Sequence, residues 1–207
     1  MDFVNNAIEY IVDPAINGLG ILCTAKELAE EYLNDDRYAS KPEMVNSMIN
    51  WESSKNYSVG FVTALGGGVM LPVGVAGDLY VSWVIQARMS AAIAYIYGYD
   101  LNEDRTKTFI LATILGEKLL KEVLKDFAIK FVTKGAKNLI MKGIKGATLR
   151  TINKAVGMRL VTKAGEKGLI NLVKIVPVIS GFVGAVIDVA YCRTVGSAAK
   201  LVFEKEN

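Results

Sequence analysis

Five polar residues planted in otherwise apolar segments carry most of the chemical potential of this chain: Asp78, Gln86 and Arg88 in one segment, Asp188 and Arg193 in another. A carboxylate or guanidinium removed from water without a partner is disfavoured by several kcal/mol, so the simplest arrangement is a set of cross-helix ion pairs. The alternative is recognition. A guanidinium fork suits phosphate or carboxylate bidentately, and Arg88 and Arg193 facing a cleft would hold such a group. Asp78 or Asp188 could instead serve a lipid-processing hydrolase, but no second acid, histidine or nucleophile stands at a recognisable spacing.

Other chemistry is excluded by composition. The chain has 207 residues and no histidine, which removes a Ser-His-Asp triad, a Cys-His dyad, histidine-ligated zinc and a histidine pH switch. Cys23 and Cys192 are too few and too far apart for a zinc knuckle or a CxxC motif, and both read as buried thiols. Gly66-Gly67-Gly68 is followed by Val69-Met70-Leu71, without the Lys-Ser or Lys-Thr of a phosphate-binding loop. Ser58, Ser82, Ser90 and Ser180 lie outside any G-x-S-x-G context. No cofactor or metal is expected, and an accessory role is favoured over an enzymatic one.

The elements that must position these residues are apolar and rich in glycine. Ser58 to Gly77 is a run of twenty uncharged residues with six glycines and Pro72, long enough to cross a bilayer but poorly suited to a membrane helix. Pro72 divides the region into an entry segment at 58–70 and a long helix from about 73 to 97. Ile175 to Ile187 is a second uncharged run, of thirteen residues, which suits a buried or interfacial helix better than a spanning one. The two runs echo one another: Arg88 follows Pro72 and Arg193 follows Pro177 at the same interval, each with an Ala-Ala pair close behind. In both, the structural glycines and prolines (Gly66, Gly67, Gly68, Pro72, Pro177) permit turns and close helix approach.

Helical periodicity dominates elsewhere. Val4, Ala7, Ile8 and Ile11 form one stripe and Leu22, Ala25, Leu28, Ala29 and Tyr32 another. Ser40-Lys41-Pro42-Glu43 reads as a capping box for a short helix through Met44, Met48, Ile49 and Trp51. Tyr97-Gly98-Tyr99-Asp100 stops the long helix, and Asn102 caps a following one whose apolar residues run from Phe109 to Phe131. With no segment of period-2 alternation, the fold class is all-α: a compact multi-helix domain with two glycine-rich apolar hairpins. Residues 1–40 read as an amino-terminal amphipathic segment and 41–207 as the main helical domain. The frequent glycines between Lys134 and Lys174 predict short helices there, since each interior glycine costs about 0.8–1.0 kcal/mol against alanine.

Charge is strongly segregated. Residues 1–117 hold 7 Lys and Arg against 15 Asp and Glu, whereas residues 118–174 hold 14 against 3. The basic block either pairs with the acidic first half inside the fold or faces an anionic surface. Lys134, Lys137, Lys142 and Lys145 are the candidate lipid-surface residues. Nucleic acid is disfavoured because aromatics are nearly absent from 132 to 181, leaving no stacking platform. The amino terminus shows neither a secretory pattern nor a myristoylation glycine, so a cytoplasmic location, peripheral or partly inserted at the inner face of the membrane, is expected.

Trp51, the stretch ending in Leu71-Pro72-Val73, Trp83-x-x-Gln86-x-Arg88, Ala91-Ala92-Ile93-Ala94, Tyr97-Gly98-Tyr99-Asp100 and Val176-Pro177-Val178 together resemble the EcsC family over roughly residues 45 to 205. That family takes its name from a bacterial gene cluster that also encodes an ATP-binding-cassette transporter. The resemblance therefore implies membrane association and a transporter-linked role, and no defined reaction. The function expected is that of a membrane-associated accessory protein that binds anionic phospholipid or modulates a transporter. A pore-forming or bilayer-remodelling module, with hairpins at 58–97 and 175–200 that insert, is the first alternative.

Overall fold

The computed structural model describes residues 2–54, 77–127, 129, 143–173 and 180–205, with the side chains at 2, 77, 78, 163–173 and 180–188 left out of the description. Gly66, Gly67, Gly68, Pro72, Pro177, Lys134, Lys137 and Lys142 lie outside the described residues, as does the entry segment at 58–70. The described chain is helical throughout, its one β-type contact being an isolated bridge between Leu19 and Leu22.

The amino-terminal stripe does not form one regular helix. α1 (Asp2–Asn5) leads into a π-helical turn at Ile8–Val12 and then α2 (Asp13–Asn17). The Asp13 amide bonds the Ile8 carbonyl five residues back, and this wider turn puts Ile11 and Val12 side by side in the core while Ile8 moves to its edge. Pro14 sits in the first turn of α2, where its missing N–H costs nothing. Gly18, at φ 90°, then turns the chain toward α3 (Ala25–Leu33).

α3 opens on a complete capping box that the sequence reading missed: Thr24 Oγ1 accepts from the Glu27 amide at 3.0 Å, and Glu27 accepts from the Thr24 amide at 2.8 Å. These bonds hold the Glu27 carboxyl below the usual carboxylate range. At α4 (Lys41–Ser54), where the box was expected, Ser40 accepts from Glu43 at 3.4 Å, while the Glu43 carboxylate takes the Ala39 amide at 2.9 Å. The return bond is displaced by one residue.

α5 (Gly77–Ile96) is the hub. α2, α3, α4, the π-helical turn, the next helix and the last one all pack against it. It is apolar all round, as a helix surrounded by others must be, and Trp83, Val84, Met89 and Ile93 are fully buried along it. Its end is a Schellman motif: Gly98 at φ 76° donates to the Tyr95 carbonyl and Tyr99 to the Ala94 carbonyl. Among the described residues, Leu79–Ile96 is the one stretch long and apolar enough to cross a membrane, and 83% of it is buried inside the protein.

The single helix expected after Asn102 is two. α6 (Asp104–Thr113) and α7 (Glu117–Asp126) are separated at Gly116, whose φ of 80° breaks the ladder. Asn102 does not cap α6; its amide bonds Asp100 Oδ1 at 2.9 Å in a turn, and Glu103 occupies the cap position. α8 (Gly146–Val173) runs unbroken for 28 residues, against the expectation of short helices. Tertiary contact outweighs the propensity cost here, because a glycine inside this helix is what lets another backbone approach. α9 (Ser180–Phe203) packs on α4, α5, α6 and α7. A contiguous core runs from Phe3, stacked on Trp83 at 5.8 Å, to Phe203.

Gly157 marks the closest such approach. A Cβ there would lie 2.7 Å from the Val4 carbonyl oxygen and 3.1 Å from Val4 Cα, backbone atoms that cannot rotate away. Gly157→Ala should therefore lower the melting temperature although alanine is the better helix former, because overpacking costs about 1–3 kcal/mol against a propensity gain of about 1 kcal/mol. Gly146→Ala, at a site with no neighbour within 4 Å, is the control and should leave thermal unfolding by circular dichroism unchanged or raised.

Candidate functional site

Arg88 lies midway along α5 and is 4% exposed. Its Nη2 donates to Glu52 Oε2 of α4 at 3.1 Å and its Nη1 to Cys23 Sγ, before α3, at 3.4 Å. Both charged side chains are essentially withdrawn from water, and Nε has no hydrogen-bond partner among the described residues. The guanidinium is thus turned inward on a carboxylate. The cross-helix pair expected for Arg88 exists, and its partner among the described residues is Glu52. The signal was available: Val45, Met48, Ile49 and Glu52 fall on one helical face, and all are buried. A lone acid on an apolar stripe requires a buried cation, and Arg88 is the one basic residue of α5.

The other candidates fall elsewhere. Gln86 is buried, with Nε2 donating to Ser82 Oγ at 3.1 Å and Oε1 without a hydrogen bond among the described residues. Arg193 is exposed on α9, so the positions equivalent by the repeat of the two runs have opposite environments. Asp78 and Asp188 fall within α5 and α9, but their side chains are outside the description. Gln86, Arg88 and Arg193 do not converge on one cleft.

The basic block divides into paired and unpaired groups. On α7, Lys121 bonds Glu117 at 2.6 Å, and Arg159 of α8 reaches Asp126 at 3.2 Å and Glu122 at 3.6 Å. Outside the block, Lys107 of α6 joins Asp13 of α2 at 2.7 Å. Lys145, Arg150 and Lys154 are exposed and have no carboxylate within 4 Å among the described residues. Arg150, Lys154, Met158 and Val161 share one face of α8, opposite the buried Ile152, Val156 and Leu160. Met158 and Val161 are 54% and 41% exposed. The outer surface of α8 is thus cationic toward its start and apolar further on.

A second surface feature lies where the turn between α6 and α7 meets α9. Leu115, Gly116 and Leu119 face Tyr191 and Thr194 across an open groove of about 460 Å³, with Lys118 and Lys121 at its edge. The Tyr191 hydroxyl donates to the Ile114 carbonyl, and Thr194 Oγ1 donates to the Tyr191 carbonyl at 2.7 Å. Burial raises the Tyr191 pKa, keeping that hydroxyl a neutral donor.

Removing one member of a buried pair strands the other charge, at a cost of about 3–5 kcal/mol, whereas replacing both with apolar groups is close to neutral. Glu52→Ala should accordingly lower the urea midpoint far more than the joint change Glu52→Leu with Arg88→Met. Equal midpoints for the single and double variants would show that the pair does not carry this energy.

A sequence model described as the EcsC protein family matches residues 2–205, nearly the whole chain. No curated protein and no solved structure matches it. The family match takes in the amino-terminal helices as well as the part whose motifs were legible, and on this ground the chain belongs to the EcsC protein family.

Proposed function

We propose that this protein is an accessory factor that docks peripherally on an anionic phospholipid surface, from the cytoplasmic side, through the exposed face of α8. The observation that carries the reading is the juxtaposition on that face of Lys145, Arg150 and Lys154, free of carboxylates among the described residues, with exposed Met158 and Val161. Each basic side chain near an anionic bilayer contributes about 1 kcal/mol, so these three supply about 3 kcal/mol. That is too little for stable attachment alone. Apolar side chains entering the headgroup region add to it, and the result is reversible adhesion. Such adhesion suits a protein that regulates a membrane partner, and a transporter is the partner that the family resemblance implies.

Peripheral docking is favoured over insertion by the place of α5. Its hydrophobic surface is already satisfied by neighbouring helices, and moving it into lipid would separate Arg88 from Glu52.

Cosedimentation with phosphatidylglycerol vesicles tests the reading. Binding should fall steeply between 0.1 M and 1 M salt as the Debye length shrinks from about 10 Å to about 3 Å. Arg150→Glu with Lys154→Glu should weaken it at least about tenfold, since each reversal removes an attraction of about 1 kcal/mol and adds a repulsion. Equal binding to phosphatidylcholine vesicles would count decisively against an anionic target.

A further inference from the structure

The groove between the start of α7 and α9 is a surface of different character from the face of α8. Its volume of about 460 Å³ falls in the range of about 300–1,000 Å³ usual for small-molecule sites. The polar atoms of its α9 wall are already bonded within the protein, Tyr191 to Ile114 and Thr194 to Tyr191. What Leu119 and the Tyr191 ring offer an occupant is therefore hydrocarbon contact.

The edge is cationic. Glu117 and Lys121 neutralise each other at 2.6 Å, which leaves Lys118 exposed as the surplus charge. Gly116 supplies no side chain to cap α7, so the first-turn amides are left without that acceptor and add a partial positive charge. An apolar slot with positive charge at one edge complements a molecule with an alkyl chain and a negative head.

We propose that this groove binds a single amphiphile, one alkyl chain carrying an anionic carboxylate or phosphate head, with the chain against Leu119 and Tyr191 and the head toward Lys118. This goes beyond adhesion to a bilayer surface, and it does not rest on the face of α8: a protein that fails on vesicles could still hold a monomeric amphiphile.

Binding of a pyrene-labelled hexadecanoate to the full chain, below its critical micelle concentration, provides the test, with displacement by oleate, lysophosphatidylglycerol and neutral monoolein. Oleate and lysophosphatidylglycerol distinguish a carboxylate from a phosphate head, and displacement by either supports the proposal. Thr194→Trp, which fills the groove, should weaken binding by about tenfold or more. Leu119→Phe serves the same purpose should the first variant fail to fold. Lys118→Glu should weaken binding of the anionic ligands and leave monoolein unaffected, while Arg150→Glu with Lys154→Glu should change neither. A photoactivatable fatty acid should crosslink within 115–121 or 190–194. Displacement by monoolein as effective as by oleate, unchanged binding in the folded groove-filling variants, or crosslinks confined to other segments would overturn it.

Discussion

The ion pair between Arg88 and Glu52 is the constraint around which this molecule is arranged. A guanidinium midway along the most buried helix is tolerable only where a carboxylate is held against it, and α4 holds Glu52 there at 3.1 Å. Because the pair is directional as well as costly to break, it fixes the height of α4 along α5, which apolar contact alone would leave free to slide. Cys23 on a further Nη atom ties the segment before α3 to the same level. Three stretches of chain are thereby registered at one point. The neutral polar groups of the core obey the same rule more weakly: the Thr113 hydroxyl lies 2.8 Å from Ser90 Oγ and 2.6 Å from the Ile110 carbonyl, joining α6 to α5.

Around that registered centre, close packing depends on the absence of side chains at particular places. Gly157 lets α1 lie on α8 with backbone in contact, and Gly196 lets Ile49 of α4 press on α9, where a Cβ would meet its side chain at 2.7 Å. The contact at Gly157 favours a helix of 28 residues in a region whose composition predicts fragments. It also settles which side of α8 is spent on the core. With Val156, Leu160 and Gly157 turned inward, Arg150, Lys154, Met158 and Val161 are left facing solvent.

The all-α class, the stripe from Ala25 to Tyr32, the stop at Gly98 and the long helix through Arg88 were legible because each rests on local periodicity or on a turn residue with a single structural use. What escaped depended on geometry that periodicity does not carry. The π-helical turn at Ile8–Val12 follows from packing both Ile11 and Val12 inward, and the break at Gly116 from the approach of Thr194, whose Oγ1 would lie 2.9 Å from an added Cβ. Asp78 and Asp188 drew attention as partners for Arg88 because they are near in sequence or in the repeat. Glu52, 36 residues away, was marked only by lying on the buried stripe of α4. The repeat itself relates a buried arginine to an exposed one, so it concerns the hydrophobic runs and not a shared site.

The mean hydropathy of +0.31 acquires a different meaning once α5 is placed. A chain this apolar invites the idea of helices that leave the fold for the bilayer, yet the helix best suited to do so is the hub on which α2, α3, α4, α6 and α9 pack. Withdrawing it would uncover the faces of all of them and open the ion pair in the same step. Any meeting with lipid is cheaper on the outside, where Lys145, Arg150 and Lys154 of the basic block have no carboxylate partner among the described residues. The acidic first half neutralises part of that block, through Glu117 on Lys121, and the block's own acids Glu122 and Asp126 hold Arg159. Among the described residues, neutralisation is therefore selective in space, found where α7 and α8 meet and absent around Lys145, Arg150 and Lys154. The proposed peripheral docking would use this distribution: charges matched where helices meet, where screening is weaker, and left unmatched where an anionic partner would complete them.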